Sequence, residues 1–189
     1  MKRFRTFFLA TGSALFLGCA GIGPTTFLHE TFDFGFVETV AVIPFENLSS
    51  DQGAGYRATR FFVTELLAAE AFDVVEPGEV ARALEKQGLV RVAELTEAQA
   101  VAIGKEVGAQ ALVLGTIGES ATIRSGTSSV NVVTLVVRMV ETEQGVTVWS
   151  TSHTEGGRGF WATLLGLGNR SQGEVTRRCV EKTVRTLIQ

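Results

Sequence analysis

The stretch from Phe36 to Glu70 limits the folds open to this chain more than any other. Its first part, Val37 to Phe45, is rich in Val, Ile and Phe and predicts a buried strand, which ends near Pro44 because proline cannot donate to a sheet ladder. The segment from Asn47 to Gly55 predicts a turn, since Asn, Ser, Asp and Gly all favour turns. The residues expected to cap the following helix are Ser49, Ser50 or Asp51.

The residues after this turn predict a long helix with one apolar side. Apolar side chains recur at spacings of four and three, at Ala58, Phe62, Leu66 and Ala69, with Phe61 and Leu67 widening the stripe. Such a helix must bury this face against a sheet. The predicted core therefore combines the helix with several strands, and it includes Val40, Val42, Phe62, Leu66, Val113, Leu135 and Val137.

A short strand and two further helices come next. The strand is predicted at Phe72 to Val75, and a helix from Pro77 to a stop at Gly88. Thr96 and Gln99 form a capping-box pair that starts the other helix, and Gly108 is expected to end it.

The rest of the chain predicts three strands and a closing helix. They are expected at Ala111 to Ile123, Val130 to Glu141, Val146 to about His153, and Glu174 to Ile188. On the first of these strands, the residues expected to share one side are Val113, Gly115, Ile117 and Glu119. The order β-α-β-α-α-β-β-β-α predicts a single α/β (α+β) domain, in which a mixed sheet packs with helices.

Several of these segments resemble a known family. V-A-V-I-P-F-E-N-L-S-S-D, the helix end T-E-L-L-A, and then F-D-V-V-E-P, A-L-V-L-G-T-I-G-E-S and V-T-V-W-S are similar to the curli-secretion lipoprotein (CsgG) family. Its relatives include LpoB-type activators of penicillin-binding proteins and, in fold, the amino-terminal domain of TolB. The resemblance covers Val37 to Gln189 and implies a CsgG/TolB-N-like domain, which these families share while differing in what is attached to it.

The first residues have the pattern of a bacterial lipoprotein signal. Lys2, Arg3 and Arg5 precede an apolar run, and F-L-G-C at 16–19 resembles a lipobox, which implies cleavage before Cys19 and its acylation. The alternative is a plain signal peptide with an incidental cysteine. The predicted division is 1–18 as signal peptide, 19–36 as lipidated cysteine and short tether, and 37–189 as periplasmic domain.

Charge and cysteine content argue against nucleic-acid binding and against a disulfide. Residues 1–18 hold three basic and no acidic residues, so their removal lowers the formal charge from −3 to −6. An acidic exported chain argues against nucleic acid as a partner. Because an acylated Cys19 would leave Cys179 without a partner, no disulfide is expected.

Two apolar segments have more than one interpretation. In the tether, Phe32, Phe34 and Phe36 alternate with Asp33 and Gly35, which suits an extra edge strand or a contact with a membrane or subunit. The Gly-rich segment 156–168 either folds onto the core or contacts a membrane or partner chain. The residues proposed for that contact are Phe160, Trp161, Leu164, Leu165 and Leu167.

No group of residues predicts catalysis. The two histidines, His29 and His153, have no nucleophile motif near them. Ligands are too few for a zinc site, and no carboxylates have the spacing of a calcium loop. Gly53 and Gly55 lack the further glycine and lysine of a nucleotide loop, which favours an exposed turn. We therefore expect no enzyme activity, metal or cofactor.

These features predict a non-catalytic lipoprotein of the cell envelope. Ala20, rather than Asp, follows the cysteine, which by analogy with enterobacterial lipoprotein sorting favours the outer membrane and its periplasmic face. The protein is expected to act as an assembly or interaction module of a secretion or envelope-biogenesis complex. Its expected partners are the membrane, through the lipid anchor, envelope proteins and further copies of the chain.

Two alternatives are a curli-type secretion channel and an activator of a peptidoglycan synthase. The resemblance implies two membrane hairpins per channel subunit, and a hairpin needs about 20 residues. Segments 125–129 and 155–172 are too short or too irregular for this. The activators of the family have a long tether, whereas Ala20 to Phe36 has 17 residues.

Overall fold

The computed structural model describes residues 24–89, 95–125, 128–157 and 169–188. In chain order its elements are β1 (Thr25–Leu28), a 3-10 turn (Phe34–Phe36), β2 (Thr39–Val42), β3 (Glu46–Asn47), α1 (Ala54–Ala69), β4 (Asp73–Val74), α2 (Pro77–Lys86), α3 (Glu97–Val107), β5 (Ala111–Ser125), β6 (Ser128–Glu141), β7 (Thr147–Gly156) and α4 (Gln172–Ile188). The predicted order is present, and β1 and β3 are added to it.

The described strands form one mixed sheet of order β1-β7-β6-β5-β2-β4, with β3 paired to β5 beside this path. The pairs β2–β4, β2–β5 and β3–β5 are parallel. The pairs β5–β6, β6–β7 and β7–β1 are antiparallel. The helices α1, α2 and α3 lie in the connections between parallel strands, which need such crossovers. The predicted mixed α+β domain is confirmed.

Helices α1 and α4 cover one face of the sheet and bury the larger core. Phe62 and Leu66 of α1 and Val180 of α4 are fully buried there. The sheet contributes inward side chains that include Val40, Val42, Val113, Leu135, Val137 and Trp149. All of the predicted core residues are therefore buried in this layer.

Helices α2 and α3 cover part of the opposite face. Val80 of α2 and Ile103 of α3 pack there on Ile43 and Leu112 of the parallel strands. The predicted capping box starts α3. Thr96 Oγ1 accepts from the Gln99 N–H, and Gln99 Oε1 accepts from the Thr96 N–H. Farther along this face, side chains such as Val136 remain exposed.

The edge strand predicted in the tether lies earlier in the chain than expected. Thr25 to Leu28 form β1, which pairs with β7. Phe34 to Phe36 form a 3-10 turn instead, because the Asp33 carboxylate accepts from the Gly35 N–H at 2.9 Å and caps it. The prediction of a strand from the alternation of Phe32, Phe34 and Phe36 with Asp33 and Gly35 is therefore wrong, because Asp and Gly favour a turn here.

Three details differ from the sequence prediction. A β-bulge shifts the register of β5, so Glu119 leaves the side expected for it and Ser120 turns inward instead. Leu67 is 55% exposed, which narrows the buried stripe of α1. Helix α1 follows Gly53 without a side-chain cap, because Asp51 accepts from the Gly53 N–H at 3.3 Å and not from the helix itself.

The two ends of the sheet differ in what lies across them. At the hairpin end, β5 and β6 join through residues 126 and 127, and β7 and α4 flank residues 158–168. At the other end, residues 29–38 lead from β1 to β2 past the end of β6 and the start of β5. His29 N–H donates to Val148 O at 2.9 Å, and Thr39 N–H to Gln110 Oε1 at 2.6 Å. We call residues 29–38 the strap, and this end the strap end.

Candidate functional site

The residues proposed from the sequence lie outside the described part of the chain. They are Cys19, Phe160, Trp161, Leu164, Leu165 and Leu167. The structure does describe the residues on both sides of segment 158–168 and the strand that follows the tether. Their positions identify the part of the fold that would present the proposed residues.

Asn131 holds both ends of segment 158–168 together. Gly157 N–H donates to Asn131 O at 2.6 Å, and Arg170 N–H donates to Gly157 O at 3.1 Å. The Asn131 side chain donates from Nδ2 to Arg170 O at 2.7 Å. The described residues on the two sides of segment 158–168 therefore meet at one place, beside β6 at the hairpin end. The sequence showed Asn131 as a polar strand position but gave no sign of this contact.

A polar cluster around Asp51 ties the turn before α1 to the start of α4. The Asp51 carboxylate accepts from the Arg57 guanidinium and from Ser120 Oγ, the latter at 2.9 Å. Gln172 Nε2 donates to Ser120 Oγ at 2.8 Å and to Val132 O at 3.2 Å. The β-bulge that turns Ser120 inward thus completes a chain of hydrogen bonds across three parts of the sequence.

Asp51 is ionised in this cluster at neutral pH. Burial by itself would raise its pKa, but hydrogen bonds from Arg57 and Ser120 and the charge of Arg57 outweigh burial and lower the pKa of Asp51 below its ordinary value. The carboxylate therefore keeps its charge and its donors, and the cluster fixes the start of α4 against β5 and β6.

The first described strand runs away from the hairpin end. Strand β1 runs antiparallel to β7, from Thr25 opposite Ser152 toward the start of β7. Thr25 therefore lies toward the hairpin end and Leu28 toward the strap end. Five residues separate Cys19 from Thr25, and six steps of extended chain span at most about 20 Å.

The described surface of the hairpin end carries exposed apolar and basic side chains. Ile123 on β5 is exposed there, and so is Leu48 after β3, which lies farther from this end beside Ile117. Arg124 follows Ile123, and Arg170 precedes α4. Such a mixture suits contact with lipid headgroups or with another protein.

The remaining cysteine has a packing role. Cys179 is free and buried, with Sγ 3.5 Å from His153 O. Burial, together with the nearby charge of Glu155, raises the pKa of the Cys179 thiol to about 12. The thiol is therefore protonated at neutral pH and is a poor nucleophile.

The two histidines lie in unrelated surroundings. His153 Nε2 is 3.4 Å from Glu155 Oε2, and Lys182 Nζ bonds the same carboxylate at 2.6 Å. His29 lies in the strap, with Nδ1 3.4 Å from Thr31 Oγ1.

In residues 24–89, 95–125, 128–157 and 169–188, no group of His, Cys, Asp and Glu is arranged to hold a metal ion. Within the same residues, no helix has the length and apolar character to cross a membrane.

The glycines before α1 have a structural explanation. Gly53 is exposed, as predicted, but Gly55 is buried. A Cβ on Gly55 would lie 2.5 Å from the backbone oxygen of Phe45. Glycine is therefore needed at position 55 for close packing of α1 on the chain after β2.

Comparison with protein families gives one match. The model of the family described as peptidoglycan-synthase activator LpoB matches residues 32–154. This range runs from the strap into β7 and includes α1, α2 and α3. No curated protein matches the chain.

Solved structures share the fold at low sequence identity. The PelC dodecamer from Paraburkholderia phytofirmans is 17% identical, with a TM-score of 0.60 over 87% of this chain and 96% of that one. Lipoprotein GNA1162 from Neisseria meningitidis is 19% identical, with a TM-score of 0.59 over 79% and 97%. The LpoB C-terminal domain from Salmonella enterica is 18% identical, with a TM-score of 0.50 over 62% and 82%. At these identities the likeness concerns the fold alone.

Proposed function

Because the chain belongs to the family of the peptidoglycan-synthase activator LpoB, we propose that it is a non-catalytic protein that activates a peptidoglycan synthase through protein contacts. The observation that carries this proposal is the family match over residues 32–154. The match favours the activator over the secretion role expected first from the sequence. The curli-type label has no comparable support.

We infer further that the protein is held at the periplasmic face of the outer membrane by acylated Cys19. The signal pattern of residues 1–18 and the Ala20 that follows the cysteine support this location. Since β1 begins six positions after Cys19, the domain would stay close to the bilayer. Segment 158–168, with Phe160 and Trp161, would then contact the bilayer interface, where aromatic side chains are favoured.

The short tether limits how far the domain can stand from the membrane. Strand β1 begins at Thr25, opposite Ser152, which pairs with Val136 near the middle of β6. Five further residues of β6 lead to its end at Glu141, which at the rise of a strand is about 17 Å. With about 20 Å of extended chain before β1, the strap end would stand up to about 40 Å from the bilayer. Under this proposal the contact with the synthase lies within that distance of the bilayer.

A polymerisation assay tests the activation directly. A peptidoglycan synthase of the same cell is supplied with its lipid-linked substrate in detergent, and the full-length protein is added in increasing amounts. We expect the initial rate to rise several-fold and to saturate. An unrelated lipoprotein of similar size is the control and should leave the rate unchanged. A rate that does not change at saturating protein contradicts the proposal.

Anchoring is tested separately by labelling cells with radioactive palmitate. The wild-type protein should incorporate label, and the Cys19→Ser variant should not. Cys179→Ser removes the other cysteine and is the matched control, which should label like the wild type. Equal labelling of Cys19→Ser and wild type would exclude Cys19 as the acylated residue.

Self-association is a further part of the proposal. The PelC relatives are dodecamers, and β1 is the edge strand of the described sheet with Phe27 and Leu28 exposed. We infer that copies associate through this edge, since an open strand edge favours pairing with another chain. Sedimentation of the full-length protein in detergent should show species larger than a monomer, which Phe27→Ser reduces. A monomer at every concentration contradicts self-association.

A further inference from the structure

A groove lies at the strap end, between the strap and the end of α3. Its cavity has a volume of about 540 Å³, with Phe32 and Phe36 on one wall and residues 104, 105 and 108–110 on the other. A second cavity of about 280 Å³ adjoins it and shares Phe32, Glu141 and Glu143 with it. A groove of this size is large enough for a side chain and the backbone beside it.

The walls of the groove are held by packing. The rings of Phe32 and Phe34 meet edge to face with centroids 4.9 Å apart, and both pack against the core. Phe36 is 75% exposed, so its ring is open to a bound group. On the other wall, Gly104 brings α3 against Thr142, because a Cβ at 104 would lie 2.3 Å from the Thr142 side chain. The groove is therefore already formed before a ligand binds.

The charge around the groove is negative. Two carboxylates, Glu141 and Glu143, are among the described residues that line the groove. The strap carries three more, Glu30, Asp33 and Glu38, and no Lys or Arg; these lie outside the lining and add to the negative charge of the strap end. Lys105 is the one basic side chain among the described residues of the lining. The C-terminal end of α3 adds the partial negative charge of its last carbonyl groups.

Glu141 and Glu143 differ in what they offer a ligand. Glu141 is buried, and its carboxylate accepts from the backbone N–H groups of Glu143, Gln144 and Val146 at 2.8, 3.0 and 2.9 Å. It therefore holds the turn in shape. Glu143 is exposed and lines both cavities. Its carboxylate is available to pair with a cation.

We propose that this groove binds an arginine or lysine side chain from a basic segment of a partner protein. The apolar stem and the cationic head of such a side chain would lie against Phe32 and Phe36, and the head would pair with Glu143. The surrounding carboxylates repel an acidic segment. The inference goes beyond the proposed function, because it holds whether or not the partner is a peptidoglycan synthase.

The test measures peptide binding to the full-length protein in nanodiscs of phosphatidylcholine, a lipid without net charge. The probes are three fluorescent peptides of sequence Leu-X-Leu-X-Leu, with X as arginine, citrulline or glutamate, followed by fluorescence anisotropy. Citrulline has nearly the shape of arginine and no charge. We expect the arginine peptide to bind at least about tenfold more tightly than the citrulline peptide, and the glutamate peptide not to bind. Equal binding of the arginine and citrulline peptides would overturn the proposal.

Variants distinguish binding of the arginine peptide in the groove from general attraction of the peptide to an acidic protein. Phe36→Ser and Glu143→Gln should each weaken binding of the arginine peptide several-fold. The matched controls, Tyr56→Ser and Glu85→Gln, change an exposed aromatic and an exposed carboxylate elsewhere and should leave it unchanged. Equal weakening by all four variants would overturn the proposal in favour of non-specific attraction. Thermal unfolding of each variant confirms that the fold is retained.

A second copy of the chain is the competing occupant. If Phe36→Ser abolishes self-association and the arginine peptide does not bind, the groove is a contact between copies and the proposal is wrong. Because the peptide assay contains no synthase, its failure leaves the proposed activation standing. Failure of the polymerisation assay likewise leaves the groove proposal standing.

Discussion

On the face of the sheet beneath α1 and α4, the main contacts join large side chains. The rings of Phe45 and Phe62 meet with centroids 5.3 Å apart, and Trp149 is fully buried. On the face beneath α2 and α3, the buried side chains of the described residues include Ile43, Ile103 and Leu112 but no aromatic ring, and Gly104 brings α3 close to Thr142. The first face should therefore lose most when a ring is removed, and the contact at Gly104 should respond to added atoms.

The largest loss of stability is expected from Phe62→Ala on the first face. Because the ring of Phe62 is fully buried, its removal leaves a cavity and should lower the free energy of unfolding by about 3 to 5 kcal/mol. Leu67→Ala on the same helix is the matched control, and since Leu67 is exposed it should cost less than about 1 kcal/mol. Urea unfolding measures both. Similar losses for the two variants would contradict the assignment of the buried face.

The opposite face is tested by adding one carbon atom. Gly104→Ala forces α3 away from Thr142 and should lower the free energy of unfolding by about 1 to 3 kcal/mol. Gly78→Ala in α2, where a Cβ meets nothing within 4 Å, should instead raise it by up to about 1 kcal/mol. Calorimetry of the two variants shows whether each change raises or lowers the free energy of unfolding. A stabilising Gly104→Ala would show that α3 packs more loosely than described.

A smaller effect is expected at the hairpin end, where hydrogen bonds replace apolar contacts. Asp51→Asn weakens the bonds to Arg57 and Ser120 and should lower the free energy of unfolding by about 1 to 2 kcal/mol at neutral pH. The pKa of Asp51 is lowered in the folded state. Its contribution is therefore complete above the unfolded value of about 3.9 and is lost as pH falls through the lower folded pKa.

The measurement for this variant is urea unfolding at a series of pH values. The difference between wild type and Asp51→Asn should stay constant from neutral pH down to about pH 4 and shrink below it. A difference that grows on acidification would contradict the ion pair with Arg57.

The smallest effect on stability is expected from residues that we propose lie outside both faces. Changing Phe160, Trp161 and Leu164 together to Ser should leave the thermal midpoint nearly unchanged, because we propose that these side chains contact the bilayer or another subunit. The same change should weaken binding of the unlipidated protein to liposomes or reduce its self-association. If the triple change unfolds the protein, these residues are core and the segment folds onto the domain.

The sequence predicted those parts of the fold whose signals are local. The spacing of Phe62 and Leu66 indicated the buried side of α1, and the pair Thr96 and Gln99 indicated the start of α3, and both are confirmed. The prediction failed where a neighbouring residue changed the geometry. Asp33 caps a turn in place of a strand, and the bulge in β5 turns Ser120 inward.

The candidate sites divide in the same way. Cys19 and the apolar residues of segment 158–168 were found by composition and order along the chain, and they stay predictions. The end of the fold that would present them follows from the direction of β1 and from the bonds of Asn131. The groove beside Phe36 could not be found from the sequence, since its walls come from the strap, α3 and the turn after β6.

The sequence by itself determined the helices, the long strands and most of the residues on their buried sides. Apolar periodicity, caps and turn residues act over a few positions, so their signal is contained in short segments. Only the tertiary structure decided which distant polar groups meet, as Ser120 does with Asp51 and Thr39 with Gln110, which are 69 and 71 positions apart. Such pairs depend on the order and register of the strands, because the strands bring them within bonding distance only after the sheet has formed.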